Sequence, residues 1–344
     1  MELYNKDGWI DIHAIKKACP RAFLFVMVGA RQIGKTYGIM DYFHDLQEPY
    51  IYLRGTGEEL KYSMSAKVNL YAEKAFPWAD DMTLEQGVPT YAYDSQYMDG
   101  KSPVCMALAL SDVAKIRGFG GKRYKRIFYD EFIPERTAFN RKGAGDALKN
   151  AYVTINSNRE LQGEEPCELW LAANSNNLDN EILAAFNLTA RLLLMQKRKQ
   201  NFCYLPERRL CMILFNNSPV SAAMQRTALF ECIGTNDEFS HMALNNVFVN
   251  DDATGVQSRP LAEYTPQCMI DNITLYKHKS RPEWYWVENG EKLKTAYNSK
   301  NPTSYRAFLT WWNYWGTAIP VDGNNMYYNA YTAKIAVYKL LNIK

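Results

Sequence analysis

The stretch that decides the fold is residues 23–37, FLFVMVGARQIGKTY. Its first six residues, 23–28, are wholly apolar, which is typical of a strand buried on both faces of a sheet. The strand is followed by residues 29–36, GARQIGKT, which have the G-x-x-x-x-G-K-[ST] spacing of a phosphate-binding P-loop. The stretch therefore predicts a strand, a phosphate-binding loop and a helix whose positive N-terminal end faces the bound anion.

The residue types in this loop each suit one part of a nucleotide site. Gly29 and Gly34 let backbone N–H groups turn inward around phosphate oxygens, where a Cβ atom would obstruct them. Lys35 is placed to reach the β- and γ-phosphates of a nucleoside triphosphate, and the Thr36 hydroxyl is placed to bind Mg²⁺. The alternative is a glycine-containing turn between strand and helix that binds nothing. The predicted nucleotide-binding residues are Gly29, Ala30, Arg31, Gln32, Ile33, Gly34, Lys35 and Thr36.

A second apolar strand ends on two carboxylates in residues 126–132, RIFYDEF. Asp130 is placed to hold Mg²⁺, and Glu131 is placed to polarise the water that attacks the γ-phosphate. The spacing from the P-loop favours two strands that lie side by side in one parallel sheet. The glutamate favours ATP hydrolysis over transfer of phosphate to a small molecule. The alternative is a solvated strand end.

Two further predicted strands end on polar side chains. Residues 168–173, ELWLAA, are followed by Asn174, whose amide is suited to sensing the γ-phosphate or the attacking water. Asn is also common in plain turns, which is the alternative here. Residues 50–54, YIYLR, end on Arg54, which faces either solvent or phosphate. The alternation of strands and helices predicts an α/β domain with a mainly parallel sheet and right-handed crossovers.

The composition describes a soluble globular chain of 344 residues with 47% apolar residues, 22% charged residues and a net charge of +3. No run approaches 18 apolar residues, and the N-terminus has no basic and apolar leader, so neither a membrane span nor a secretion signal is expected. The seven cysteines and four histidines lack the spacing of a disulfide framework or a zinc site. The small net charge does not by itself indicate nucleic acid.

Any contact with DNA must therefore come from local basic segments. Residues 117–126, RGFGGKRYKR, combine five cations with three glycines, a composition that attracts phosphate. We predict DNA contacts at Lys122 and Arg123, and at Arg141 and Lys142 in the loop after the acidic strand. The alternative for residues 117–126 is a solvated connection.

The sequence divides into three predicted parts: an ATPase domain at 1–217, a helical linker at 218–255, and a basic, aromatic-rich domain at 256–344. The last part has 11 Lys and Arg against six Asp and Glu, a net charge of +5, and 16 of its 89 residues are aromatic. Alternating segments at 273–276 and 284–287 and a helix at 331–341 indicate a small α+β domain. We predict that it binds nucleic acid or a portal protein. It shows no cluster of carboxylates at strand ends, so no nuclease is expected.

With these residues in place, the chain resembles the DNA-packaging motor ATPases of small tailed phages that replicate by protein priming. The likeness lies in the P-loop GARQIGKT, in the acidic strand continuing as DEFI at 130–133, and in Asn158-Arg159-Glu160 ahead of a strand ending in Asn174. The P-loop string is also similar to that of the large terminase subunits of bigger phages. A similarly spaced pattern continues through residues 226–248 and fades in the last 80 or so residues.

This resemblance implies an additional-strand, catalytic-glutamate P-loop fold, RecA-like, which works with ATP and Mg²⁺. It implies a homomeric ring, a pentamer in the family, at the portal vertex of an empty prohead in the host cytoplasm. Partners would be double-stranded DNA, the portal and a structural packaging RNA. The C-terminal domain would resemble an RNase H-type nuclease that has lost its catalytic acids.

The resemblance implies roles for two arginines. A ring needs an arginine donated across the subunit boundary, and Arg159 occupies the matching segment. The family carries another arginine two positions earlier, where this chain has Ser157. Arg31 inside the P-loop would touch the γ-phosphate, hold an acidic residue of a neighbour, or make a structural contact. Other candidates for the arginine donated across the boundary are Arg136, Arg141 and Arg191.

Two other functions fit the same motifs. A ring helicase or other P-loop motor would unwind a forked duplex. An NTP-dependent assembly or secretion factor would hydrolyse ATP without any response to DNA, and the low net charge keeps this function open.

Overall fold

We analysed the chain as a computed structural model, which divides into two compact units, Met1–Asn250 and Asp251–Lys344. The predicted helical linker at 218–255 lies partly outside the described residues, and the division into three parts stays a prediction. The structure describes residues 2–63, 70–74, 76–77, 82–85, 90–94, 101–112, 121–134, 143–176, 178–216, 218–234, 240, 243–244, 255–294, 296–315 and 325–341.

The first unit is built on one sheet, which has nine strands within these described ranges. They are β1 (Leu24–Gly29), β2 (Tyr50–Arg54), β3 (Met82–Glu85), β4 (Thr90–Asp94), β5 (Lys101–Ala109), β6 (Arg126–Asp130), β7 (Glu168–Asn174), β8 (Phe202–Leu205) and β9 (Leu210–Phe215). The spatial order is β3-β4-β5-β2-β6-β7-β1-β9-β8. The six strands from β5 to β9 in that order are parallel, whereas β3, β4 and β8 pair antiparallel at the two edges. This confirms a mixed α/β fold with a largely parallel sheet.

The prediction that the P-loop strand and the acidic strand lie side by side is wrong. Strand β7 lies between them and pairs in parallel with β1 on one side and with β6 on the other. The apolar pattern could not show this, because all three strands are buried on both faces and their order depends on long-range pairing. The insertion brings Asn174, at the end of β7, next to the end of β1, since Gly29 is its register partner.

Most of the helices described in the first unit connect strands of this sheet, whereas one precedes β1 and two follow β9. Residues 181–197 form two helices rather than one, because Asn187 has a φ of +55° and the Leu188 N–H donates to the Leu183 carbonyl at 2.8 Å. Within the described ranges no helix is long and apolar enough to span a bilayer. The helices are α1 (Ile12–Ala18), α2 (Lys35–Asp45), α3 (Gly57–Ser63), α4 (Leu70–Glu73), α5 (Ala144–Asn156), α6 (Glu181–Ala185), α7 (Thr189–Lys197), α8 (Pro219–Met224) and α9 (Ala228–Ile233).

Aromatic side chains fix the P-loop strand and its helix against the neighbouring strand. Phe25 of β1 and its register partner Trp170 of β7 stack with ring centroids 4.0 Å apart. Phe43 of α2 meets the Trp170 ring edge-on at 5.5 Å, and all three side chains are buried. Contacts of this kind add stability beyond the area they bury. They hold the C-terminal part of α2 against the first residues of β1 and the neighbouring part of β7.

The second unit is a small α+β domain, as the sequence predicts. Its sheet has five strands within the described ranges, in the order β13-β10-β11-β12-β14. The middle three strands form an antiparallel meander, and each edge strand pairs in parallel with its neighbour. The elements are β10 (Tyr264–Ile270), β11 (Ile273–His278), β12 (Trp284–Glu288), β13 (Ala296–Tyr297), α10 (Pro302–Trp315), β14 (Met326–Tyr328) and α11 (Tyr331–Leu341).

Many of the aromatic residues of the second unit are structural. Trp284 and Trp286 of β12 and Phe308 and Trp312 of α10 are buried in one cluster. Tyr314 on α10 is exposed over most of its surface. The high aromatic content of this unit is therefore explained in large part by its core.

Candidate active site

The P-loop begins where β1 ends at the carboxyl edge of the sheet. A Cβ atom on Gly29 would lie 2.7 Å from Ile33 Cδ1 and 2.8 Å from Phe215 Cβ, so a larger residue would displace the loop. Gly34 has a φ of +91° and immediately precedes α2, in a backbone conformation that favours glycine. The two glycines of the motif are thus required for different reasons, close approach at one and conformation at the other.

Lys35 is buried at the base of the loop, with 8% of its surface exposed. Its Nζ donates to the carbonyls of Gly29 and Ala30 at 3.1 and 2.6 Å and to Asn174 Oδ1 at 3.0 Å. Burial lowers the pKa of Lys35 from 10.5 to about 7, and the negative charge of Asp130 opposes this only in part. A bound phosphate would favour the charged form of this ammonium group.

Thr36 and Asp130 are brought together by the start of α2 and the end of β6. Thr36 Oγ1 lies 3.1 Å from each oxygen of the Asp130 carboxylate, and the Tyr52 hydroxyl donates to Asp130 Oδ2 at 3.2 Å. Burial raises the pKa of Asp130, while the Arg54 guanidinium acts in the opposite direction. A hydroxyl next to a carboxylate is the oxygen donor set that Mg²⁺ takes beside nucleotide phosphates, so these residues fit that ion.

Glu131 follows β6 directly and has a φ of +56°, which is uncommon for a residue with a side chain. Its side chain is 49% exposed, and its Oε2 accepts from Arg54 Nη2 at 2.6 Å. Arg54 Nη1 also lies 3.7 Å from Asp130 Oδ2. The guanidinium at the end of β2 therefore bridges both carboxylates of the predicted catalytic pair.

The sequence left the direction of Arg54 open, and the structure turns it towards the two carboxylates. The signal that could have shown this is its position, since Arg54 is the last residue of a buried parallel strand. The ends of such strands meet at the same edge of the sheet.

The residues at this edge surround a cavity of about 860 Å³, within the size range of small-ligand pockets. Its walls come from the P-loop, the ends of β6 and β7, the start of α2 and the N-terminal residues ahead of β1. The predicted residues it brings together are Arg31, Gln32, Ile33, Gly34, Lys35, Thr36, Asp130, Glu131 and Asn174. Volume, buried ammonium and oxygen donors together fit a nucleoside triphosphate with Mg²⁺.

Arg31 lines this cavity, and its backbone N–H donates to the Ala243 carbonyl at 3.2 Å. Its charge is close enough to act on Lys35, whose pKa it helps to lower, after the larger effect of burial. Contact with the γ-phosphate stays a prediction for Arg31.

Arg159 is not at this site, and its donation to a neighbouring subunit stays a prediction that its burial disfavours. It is 2% exposed, and Nη2 donates to the carbonyls of Gly121 and Tyr124 at 3.3 and 2.7 Å and to that of Lys122. These carbonyls precede β6, so Arg159 lies at the amino edge, at the other end of a strand that spans about 13 Å from Arg126 to Asp130 at ~3.3 Å per residue. A guanidinium buried among three carbonyls has a structural role.

Lys122 and Arg123, predicted as DNA contacts, also lie at the amino edge. Lys122 Nζ is 2.9 Å from Glu164 Oε1 and donates to the side chain of Gln162. The Arg123 guanidinium donates to the Tyr124 hydroxyl at 2.5 Å and lies 4.8 Å from the centre of that ring. Both cations already have partners within the chain, and their contact with DNA stays a prediction.

The remaining candidates are distributed as follows. Arg191 lies on α7 and is partly buried. Arg136, Arg141 and Lys142 lie outside the residues that the structure describes. Their predicted roles stay predictions.

Two solved structures of phage packaging motors have a similar fold. "The bacteriophage Phi-29 viral genome packaging motor assembly" matches with a TM-score of 0.62 at 16% identity over 99% of each chain. "The Phi-28 gp11 DNA packaging Motor" matches with a TM-score of 0.59 at 16% identity, over 96% of this chain and 98% of that chain. A likeness at 16% identity establishes the fold alone. The predicted resemblance to packaging motors is therefore confirmed at the level of the fold. No family model matches the chain, and no curated protein matches its sequence.

Proposed function

We propose that this chain is an ATP-driven translocase of double-stranded DNA that packages a viral genome into a preformed prohead. The observation that carries the proposal is the convergence of Lys35, Thr36, Asp130, Glu131 and Asn174 on one cavity. The chain that holds this cavity has, over nearly its whole length, the fold of phage DNA packaging motors. A P-loop next to a carboxylate pair accounts for hydrolysis, and the fold of the whole chain favours packaging over other uses of ATP.

The chemistry assigned to these residues is hydrolysis of the γ-phosphate. The loop N–H groups and Lys35 bind the triphosphate, and Thr36 and Asp130 hold Mg²⁺, which would neutralise phosphate charge. Glu131 takes a proton from water as the water oxygen bonds to the γ-phosphorus and the bond to the β-phosphate oxygen breaks. Asn174 already accepts a hydrogen bond from Lys35. It orients the ammonium group towards the γ-phosphate or holds the attacking water.

We further propose a homomeric ring, a pentamer, at the portal vertex of the prohead in the host cytoplasm, with a structural packaging RNA as an additional partner. Coupling around such a ring needs an arginine supplied across the subunit boundary. The burial of Arg159 leaves Arg136, Arg141 and Arg191 as the candidates for this role.

We assign the second unit, with its charge of +5 from residue 256 onward, to contacts with nucleic acid or the portal. We also propose for it a vestigial RNase H-type origin. Its meander of three antiparallel strands with flanking parallel strands supports an α+β domain of this general kind.

The test is steady-state ATP hydrolysis by the full chain, with and without blunt double-stranded DNA, over a salt series. We expect stimulation by DNA that fades as salt rises, because contacts to the phosphate backbone release counterions. Replacing both Lys122 and Arg123 by Ala should lower the stimulation and flatten its salt dependence, with hydrolysis in the absence of DNA unchanged.

Other outcomes would identify the rival functions. Hydrolysis that ignores DNA at every salt concentration would contradict translocation and favour an assembly or secretion factor. Unwinding of a forked duplex would favour a helicase.

A further inference from the structure

The cavity has a wall that the hydrolysis chemistry does not use. Lys35, Asp130 and Asn174 form the phosphate end, whereas Trp9 lies on the wall supplied by the N-terminal residues. Trp9 is 45% exposed, an unusual position for the largest apolar side chain unless something covers it.

The indole of Trp9 lies directly against the P-loop. A Cβ atom on Gly34 would lie 3.2 Å from Trp9 Cε3, so the six-membered ring rests on the glycine that precedes Lys35. A triphosphate held by the loop and Lys35 extends its sugar and base away from the γ-phosphate end. Trp9 is therefore within reach of the base.

The loop that presents Trp9 is tightly hydrogen-bonded. Asn5 Oδ1 accepts from the N–H groups of Asp7 and Trp9 at 3.0 and 2.9 Å, and the Asn5 N–H donates to the Trp9 carbonyl at 2.7 Å. Gly8 has a φ of +86°, and a Cβ atom there would lie 2.9 Å from Pro219 Cβ. The aromatic ring is thus held in position before any ligand arrives, which reduces the entropy lost on binding.

Other side chains that line the cavity on this side have partners within the chain. The ring of Tyr37 stacks on Phe76 with centroids 4.3 Å apart. The Asp11 side chain accepts from the Ala14 N–H at 2.8 Å and caps α1, and His13 pairs with Asp45 at 3.1 Å. Trp9 therefore offers a ligand an aromatic face on this wall.

We propose that Trp9 stacks on the nucleobase and makes the site selective for purine nucleoside di- and triphosphates, an inference that rests on the proposed nucleotide-binding function. Stacking between a base and an aromatic side chain tolerates different bases and scales with the overlapping area. Purines therefore bind more tightly than pyrimidines, and adenine and guanine differ little.

The experiment compares MgADP, which carries a base, with inorganic pyrophosphate, which does not, on the full chain by calorimetry. Neither ligand is turned over. In Trp9→Ala we expect the Kd for ADP to rise about tenfold, the range found when a base loses its stacking partner. The Kd for pyrophosphate should stay within about twofold, and Trp9→Phe should recover most of the ADP affinity, because an aromatic face is restored.

A spectroscopic readout separates stacking from a general effect on the loop. ADP should quench tryptophan fluorescence in the wild-type chain, pyrophosphate should not, and the quenching should be absent in Trp9→Phe. Unchanged ADP affinity in Trp9→Ala, or equal losses for ADP and pyrophosphate, would overturn the stacking assignment while leaving nucleotide binding intact. A wild-type chain that binds neither ligand would overturn both proposals.

Discussion

The two edges of the central sheet hold similar charged residues in different surroundings. At the amino edge Lys125 and Arg126 bind Glu48, and Arg159 is enclosed by carbonyls. At the carboxyl edge Arg54 pairs with Glu131, but Glu131 has a left-handed backbone and Lys35 lines a cavity, where burial lowers its pKa. The amino edge stabilises the fold, and the carboxyl edge holds groups at a cost in stability that a ligand would offset.

The largest expected effect concerns the carboxylate at the carboxyl edge. Glu131→Gln should lower kcat for ATP hydrolysis by about 10²–10⁴-fold, the range for loss of a general base. Nucleotide affinity should be retained, because Lys35 and the loop are unaffected. Timed assays of phosphate release measure kcat, and calorimetric titration with ATP measures the nucleotide affinity.

The matched control is Glu48→Gln, a carboxylate of the amino edge that pairs with Lys125 and Arg126. It should leave kcat within about twofold of the wild-type value. Normal turnover in Glu131→Gln would remove Glu131 from the mechanism and with it the functional contrast between the edges.

At the amino edge, Arg159→Ala should destabilise the fold by about 2–4 kcal/mol, because buried carbonyls that lose their donor cost roughly 1–3 kcal/mol each when solvent cannot replace it. Three carbonyls would lose their donor inside the protein. Urea denaturation followed by circular dichroism measures the change.

Arg209→Ala is the control, since Arg209 lies near the same edge but is partly exposed and pairs with Glu160 and Glu165 at 3.4 and 2.8 Å. Arg209→Ala should lower the free energy of unfolding by about 1 kcal/mol or less. A stable Arg159→Ala chain with slow, DNA-stimulated hydrolysis would instead restore Arg159 as the arginine donated to a neighbour.

A smaller effect of opposite sign is expected for Lys35→Met in the nucleotide-free chain. Burial lowers the pKa of Lys35 from 10.5 to about 7, so holding this ammonium charged at pH 7 or below opposes folding. Methionine has a similar length and no charge. The variant should be more stable by about 1–3 kcal/mol near pH 7, after allowing for the lost hydrogen bonds to the loop carbonyls.

The pH dependence of stability tests whether the lowered pKa of Lys35 is the cause of this difference. The wild-type chain takes up a proton on unfolding between pH 7 and 10.5, so its stability should rise with pH across that window relative to Lys35→Met. The difference in the free energy of unfolding between the wild-type chain and Lys35→Met should therefore become smaller towards pH 10. A variant less stable than the wild type at pH 7 would show that Lys35 stabilises the fold.

Most of the carboxyl edge was predictable from the sequence. The P-loop motif and the acidic strand end each specify a local conformation, and the structure brings Lys35, Thr36, Asp130 and Asn174 into contact at that edge. The amino edge was not predictable in this way. Arg159 follows a pattern that suggested a role between subunits, and its burial appears only when residues 121–124 fold over it.

By itself the sequence determined the parallel α/β unit, the glycine-containing loop at residues 29–36 and the aromatic α+β unit, because apolar runs and glycine spacing act through neighbouring residues. Only the tertiary structure decided that β7 lies between β1 and β6, that Arg54 reaches Glu131, and that Trp9 rests on Gly34. Each of these contacts joins residues far apart in the chain. Such contacts depend on which buried surfaces pack together, and an apolar pattern does not distinguish one buried strand from another.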